Sequence, residues 1–248
     1  MKNYQKNRVN EYQQPIGELV DTIHFQMIDE KVLNGQSQLR LIPFQRLDDV
    51  GNRIAQLFQV IEREPDERCW TYLPYEKPID VEQLIERLSQ NFGFENCIHY
   101  LIEVDGRLLG YIALMNARMT VGVIEIGNVY FSHELRRQKV STEVIYLLLN
   151  TSFQSGFRRV EWKCDDLNQP SKNAALRFGF SYEGLFRQDR IYKGRNRNTA
   201  WFSMLDDEWL LIQKGYEAWL DEQNFDTNGL QKNKINDLIQ KYLDSNMA

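Results

Sequence analysis

Residues 135–148 read "LRRQKVSTEVIYLL": three basic side chains and two small hydroxyl residues lead into an apolar series, Val140, Val144, Leu147 and Leu148, at helical spacing. A helix start presents backbone N–H groups without intrahelical partners and a partial positive charge. Arg136, Arg137 and Lys139 would add charge-assisted hydrogen bonds to a bound anion. The stretch can therefore cradle a diphosphate, although it contains no glycine to let the backbone approach closely. Taken alone, the same pattern fits a solvated basic start of a surface helix better.

The flanking segments give this helix a setting. Upstream, "QLRLIPF" (38–44) reads as a strand. A helix over roughly 48–63 carries Val50, Ile54, Leu57, Phe58 and Ile61 on one face, and a second is built on Val81, Leu84, Ile85 and Leu88. "CIHYLIEV", an Asp105-Gly106 turn and "RLLGYIALM" form a hairpin, and "VIEIGNVYF" (123–131) is a further strand. Downstream come a strand at 158–164, the loop "DDLNQPS", a short helix "SKNAALRF" closed by Gly179, and two strands, "SYEGLFRQDRIY" and "TAWFSML", joined by a turn "KGRNRN". Two amphipathic helices follow, one on Trp209, Ile212, Tyr216 and Trp219, the other on Ile235, Leu238, Ile239 and Tyr242. Trp201 is read as core. Without internal repeats, the simplest organisation is one α+β domain over 38–205, an extended N-terminal arm over 1–37 and a C-terminal helical extension over 206–248.

Composition removes several function classes. The chain has 248 residues, 42% of them hydrophobic, enough for a sizeable core, and 30 Lys+Arg against 35 Asp+Glu give a net charge of -5 that argues against a nucleic-acid surface. Three widely spaced cysteines support neither a disulfide framework nor zinc, and the three histidines show no metal spacing. No Walker loop, Rossmann fingerprint or nucleophile motif occurs, and no apolar run approaches a signal peptide or membrane span. The expectation is a cytoplasmic protein with no metal, no nucleic acid and no membrane.

The order of strand, basic turn, helix, strand, Asn-containing loop, short helix ending in Gly-Phe, and final hairpin resembles the GNAT superfamily of acetyl-CoA-dependent N-acetyltransferases over roughly residues 38–205. "EWKCDDLNQPSKNAALRFGFSYEGLFRQ" looks most like its RimJ/RimL group, whose members acetylate N-terminal amines of ribosomal proteins. The resemblance implies an acyl-CoA N-acyltransferase fold, a mixed, mainly antiparallel sheet flanked by helices, with acetyl-CoA as cofactor. In that family a turn of the form Gln/Arg-x-x-Gly-x-Gly/Ala holds the coenzyme A pyrophosphate. Arg136 matches its first residue, Ser141 its last, and Lys139 stands where glycine is usual.

Further roles follow from the resemblance. Asn128, Val129, Tyr130 and Phe131 would pair with the pantetheine arm through backbone groups. Arg136, Arg137, Gln138, Lys139, Val140, Ser141 and Thr142 would surround the pyrophosphate. Asn168 would contact pantetheine, or simply cap a helix. Ser171 would serve the coenzyme sulfur and its leaving thiolate, or only begin a helix after Pro170. Cys164 matches a strand cysteine beside the attacking amine, with packing as its alternative role and no covalent mechanism implied. The family's glutamate base falls at Arg190, leaving Asp189, Glu125 or Asp165 as candidates. A one-residue shift along a strand changes the face on which a side chain lies. Without a strong base, an α-amine titrating near about 8 is a better acceptor than a lysine near about 10.4.

Trp70, Tyr72 and Tyr75, in the loop between the first two helices, fall where the family lines its acceptor side, and could equally be loop packing. The reading is direct transfer of acetyl to a primary amine, a protein N-terminus or a small molecule. The alternatives are an acetyltransferase that detoxifies a small molecule or antibiotic, a catalytically idle acyl-CoA-binding module, or an interaction protein. The Trp209 to Trp219 face allows a homodimer.

Overall fold

The computed structural model describes residues 8–20, 28, 31–36 and 38–245. A two-stranded ribbon, β1 (Arg8–Val9) with β2 (Pro15–Ile16), precedes the main sheet. That sheet contains β3 (Leu33–Asn34), β4 (Leu39–Pro43), β5 (Ile98–Val104), β6 (Arg107–Arg118), β7 (Val123–Phe131), β8 (Arg159–Asp165), β9 (Ser181–Tyr192) and β10 (Arg195–Leu205). Their order is β3-β4-β5-β6-β7-β8-β10-β9, antiparallel throughout except for the parallel pair β7–β8. The arm expected over 1–37 lies partly outside the described residues. Within it, Leu33 is buried and pairs with Leu41, extending the sheet by a strand.

The helices are α1 (Val50–Glu62), α2 (Val81–Ser89), α3 (Lys139–Gln154), α4 (Gln169–Arg177), α5 (Asp206–Leu220) and α6 (Ile235–Ser245). Alternate residues of a strand face opposite sides of the sheet, so the strands feed two hydrophobic layers. Leu101 and Leu108 meet Ile54, Leu57 and Ile61 of α1 and Leu84 and Leu88 of α2. Tyr100, Ile102 and Ile112 join Val144, Ile145 and Leu148 of α3 in the other layer. Asp80 caps α2 by accepting from the Gln83 N–H at 2.7 Å.

Trp209, Ile212, Tyr216 and Trp219 of α5 are buried in the same layer as α3, and the Tyr216 hydroxyl donates to the Phe178 carbonyl at 2.9 Å. The apolar face that allowed a homodimer is therefore spent on the chain's own core. Gly215 lets α6 lie directly on α5: a Cβ there would stand 2.7 Å from Ile239 Cγ1 and 2.8 Å from Ile239 Cα.

Two expectations change at the last hairpin. The six-residue turn contracts to Lys193–Gly194, both at positive φ (51° and 69°) as a two-residue hairpin turn requires, so Arg195–Asn198 belong to β10. Trp201 is only half-buried, because β9 is an edge strand that covers little; its ring meets Phe186 at 4.9 Å and carries the Lys163 ammonium at 4.4 Å.

Gly215→Ala is expected to destabilise the protein by roughly 1–3 kcal/mol, as overpacking does where backbone must shift. Denaturant unfolding checks this, and an unchanged midpoint would contradict the close α5–α6 contact.

Candidate active site

β7 and β8 pair in parallel only at Val123–Arg159, Ile124–Val160 and Glu125–Glu161, then separate. Beyond that point β7 carries an extra residue. Tyr111 faces Tyr130 and Ala113 faces Gly127, so three steps on β7 match two on β6, with Asn128 at φ 47° inside the bulge. The separation opens a cavity of about 1640 Å³ lined by Gly127 through Phe131 on one side and Trp162 through Asp165 on the other. Typical drug-sized pockets reach only about 1,000 Å³, so there is room for a long ligand and a second molecule.

The Asn128 side chain turns away from this role. Its Nδ2 donates to His99 Nε2 at 2.5 Å, and its Oδ1 accepts from the Tyr75 hydroxyl. His99 Nδ1 then carries the proton toward Asn91 Oδ1, 3.3 Å away. Burial lowers the His99 pKa to about 3, keeping the ring neutral. Asn128 thus contributes its backbone to the cavity, while its amide pins the bulge.

At one end lies the basic turn. Left-handed geometry falls on Arg137 (φ 66°), whereas Lys139 opens α3 in helical geometry, so no glycine is needed at that position. Arg137, Gln138, Lys139, Ser141 and Thr142 line the cavity, while Val140 packs on the core and can offer only its backbone. Ser141 Oγ donates to the Gln138 carbonyl at 2.6 Å. Arg136 also lines the cavity, but its guanidinium is committed to the buried Glu64 carboxylate, which further accepts from the Tyr130 hydroxyl (3.1 Å) and the His133 N–H (2.8 Å). It is a strut of the turn rather than a free anion ligand.

Its place is taken by Arg177 of α4, which has no acidic partner among the described residues, donates to Thr142 Oγ1 at 3.0 Å and lies over the Trp219 ring. Lys139 sits over Phe225 with its ammonium 4.5 Å from the ring centroid. Trp219, Phe225 and Gln231 all line this end. Sequence reasoning did not place these three at the cavity, nor Arg177, since no motif ties α4 or a C-terminal segment to the turn.

In the middle of the cavity, Trp162 Nε1–H donates to Ser171 Oγ at 3.0 Å, so the Ser171 O–H donates onward, with the Cys164 sulfur within its reach. Burial raises the Cys164 pKa, against the opposing pull of a Ser171 hydrogen bond and the charges of Arg197 and Lys172. Cys164 is therefore a protonated thiol and a poor nucleophile. Asn168 caps α4, its Oδ1 accepting from the Ser171 N–H at 3.1 Å; its Nδ2 remains for a ligand.

The carboxylates divide. Glu125, 4% exposed, is held by Lys163 Nζ at 2.5 Å and Asn116 Nδ2 at 2.8 Å, where the two strands part. Asp165 lines the cavity but accepts from the Leu167 N–H at 2.9 Å. Asp189 does not line the cavity while Arg190 does, as strand alternation requires, which removes Asp189 as a base.

Of the three aromatics, only Tyr72 lines the cavity. Trp70, 1% exposed, stacks on Tyr130 at 5.2 Å, and Tyr75 stacks on Phe92 at 4.2 Å, so both pack beneath the bulge. Arg68, Leu73, Tyr192 and Arg197 complete the wall around Tyr72.

This geometry suits a long thioester ligand: unpaired strand backbone, a cationic helix start at one end and a hydroxyl donor at the centre. Comparisons agree. Residues 54–180 match the model of the acetyltransferase (GNAT) family. The structure resembles a GCN5-related N-acetyltransferase from Brucella melitensis, 33% identical, with TM-score 0.82, covering 89% of this chain and 99% of that one. It also resembles a GNAT-family protein of Chromobacterium violaceum ATCC 12472, 35% identical, TM-score 0.70, covering 79% and 96%. The fold further matches RimL, a ribosomal L7/L12 α-N-protein acetyltransferase solved with coenzyme A, at 17% identity and TM-score 0.58 over 71% and 98%. No curated protein matches the chain. The chain belongs to the GNAT acetyltransferase family. It is an N-acetyltransferase of that family and uses acetyl-CoA.

Two outcomes are expected. Arg136→Ala should cost roughly 1–3 kcal/mol of stability, because the buried Glu64 loses a charged partner, while Lys139→Glu should weaken acetyl-CoA binding at least tenfold with the fold intact. Calorimetric titration and thermal unfolding separate the two, and unchanged affinity in Lys139→Glu would contradict the anion-binding turn. For His99, the folded pKa lies below the ordinary 6.5, so the unfolded state binds the proton more readily between pH 6.5 and about 3 and stability falls with pH across that window. The decline should be shallower in His99→Gln by up to about 1.4 kcal/mol per pH unit; equal slopes would show that His99 titrates freely.

Proposed function

We propose that this enzyme transfers acetyl from acetyl-CoA directly to a primary amine within a ternary complex, the amine having a low pKa of its own, as a protein N-terminal α-amine does. Acetyl-CoA supplies the activated acyl thioester. Arg137, Lys139 and Arg177, with the backbone N–H groups that open α3, would hold its phosphates, and Asn168 Nδ2 and the bulged backbone of β7 would hold its pantetheine arm. Backbone N–H groups of the bulged segment, which lines the cavity, would steady the oxyanion, and the Ser171 hydroxyl would donate to the departing sulfur.

The single observation that carries the reading is the pinning of Glu125 by Lys163 and Asn116. Asp165 accepts from the Leu167 N–H, and Glu95 and Glu222, which also line the cavity, are solvent-exposed, so the wall offers no free buried carboxylate as a strong base and the acceptor would arrive partly neutral. An α-amine near about 8 meets that requirement, whereas a lysine near about 10.4 would cost roughly 4–5 kcal/mol to deprotonate at neutral pH. RimL, described as an α-N-protein acetyltransferase, offers a parallel in acceptor class.

Peptides with free and blocked N-termini, matched lysine peptides and small aminated compounds, compared by coenzyme A release, test the reading. Free α-amines are expected to react at least tenfold faster than lysine side chains at pH 7, and the reverse order would overturn it. Ser171→Ala should lower kcat by about 10- to 100-fold with little effect on acetyl-CoA affinity; an unchanged kcat would leave Ser171 only the structural partner of Trp162.

A further inference from the structure

Two arginines on the acceptor wall take no part in the chemistry above. Arg190 of β9 and Arg197 of β10 are register partners across the last hairpin, and both line the cavity. Like charges set directly opposite one another destabilise a sheet. Arg197 is only 9% exposed, donates from Nε to Thr199 Oγ1 at 3.2 Å, and lies 4.7 Å over the Tyr192 ring. No carboxylate among the described residues stands within ion-pair distance of it. Asp165, across the sheet from Thr199, is turned to the Leu167 N–H instead. Arg190 touches Asp189 only loosely, at 3.6 Å.

A buried guanidinium without a counter-charge is costly unless something repays it. Here the open direction is the cavity. The cofactor's phosphates are not the repayment, because the sheet order puts β10 and β9 on the far side of β8 from the α3 turn, where Lys139 and Arg177 already provide cations. Arg197 instead lies two residues from Thr199 on β10, whose neighbour Ala200 faces Cys164 of β8. The hairpin that carries both arginines is tied down: Lys193 donates to the Trp70 carbonyl at 2.8 Å and pairs with Glu76 at 2.9 Å. These contacts fix the hairpin that carries the pair; the Arg197 side chain is buried, whereas that of Arg190 is half exposed. The planar fork of arginine suits carboxylate and phosphate alike.

We propose that the acceptor is a primary amine whose own substituent carries an anion, a carboxylate or a phosphate, and that Arg197 and Arg190 clamp that anion beside the reacting nitrogen. The proposal rests on the acetyl-transfer reading of this site and narrows its substrate class. It also gives the cross-strand arginine pair a physical reason: the anion relieves the repulsion and replaces the lost hydration.

The test uses the full chain saturated with coenzyme A and two matched pairs of α-amines, Asp-Ala-amide against Asn-Ala-amide and phosphoserine amide against serine amide, titrated calorimetrically. The acidic member of at least one pair should bind about tenfold or more tighter than its neutral partner, as charge-assisted bonds give, and the pair that responds identifies the anion. In Arg197→Gln and Arg190→Gln the ratio should fall toward one with coenzyme A affinity unchanged. Arg197→Lys, which keeps the charge and loses the fork, should retain part of the ratio and guards against a folding defect in the Gln variant. Equal affinities within both pairs in the wild type would overturn the proposal. So would a ratio that survives both Gln substitutions, or a loss of coenzyme A affinity in Arg197→Gln with the ratio intact. Acetyl transfer is followed on the same compounds: acidic amines that bind preferentially yet accept no acetyl would support the clamp and count against the transfer reading alone.

Discussion

When β7 and β8 part after Glu125 and Glu161, their backbone N–H and C=O groups lose the partners that a continuous sheet would have given them. Buried backbone groups must be satisfied, and in the proposed reading a ligand lying as an inserted strand would supply the missing partner. The bulge at Asn128 widens the opening, and the Lys163–Glu125 ion pair closes its narrow end. Helix α3 begins where β7 ends, so its N-terminus faces the same opening. The proposed position of the cofactor, and from it that of the thioester, rests on this one departure from regular pairing.

The supporting shell explains why the opening persists. Neutral His99 and Tyr75 fill both hydrogen-bonding capacities of the Asn128 amide that face them, and Trp70 and Tyr130 stack beneath. Glu64 draws together the Tyr130 hydroxyl, the His133 amide and Arg136, fastening the end of β7 to the turn before α3. Charges at the cavity are then sorted by role: the buried acids Glu64 and Glu125 are neutralised within the wall, and Lys139, Arg177 and Arg197 line the cavity without an acidic partner among the described residues. Such a surface suits anionic ligands at both ends and leaves proton removal to the acceptor's own acidity.

Much of this was legible in the sequence because it is local. The apolar series of α1, α2 and α3, the Asp105-Gly106 hairpin and the Asn168 cap are each set by residues a few positions apart. The order of elements around Arg136–Ser141 pointed to the family. What escaped notice depends on distant partners. Glu64 and Arg136 are 72 positions apart, so Arg136 looked like a free cation. Trp70 and Tyr75 sit in a proline-containing loop that gives no sign of the buried strand they support. The bulge uses Asn128 at positive φ rather than glycine, which hides it. Asn-rich composition disguised Arg195–Asn198 as a turn and with it Arg197. Trp219 near the end of α5 and Phe225 beyond it reach the basic-turn end of the cavity only through tertiary packing.

The central claim is that acetyl passes straight from thioester to amine in a site holding both, with no acyl-enzyme. Initial velocities measured over a grid of acetyl-CoA and acceptor concentrations address it most directly. Double-reciprocal lines that intersect are the predicted result, whereas parallel lines accompanied by an acetylated Cys164 would contradict it.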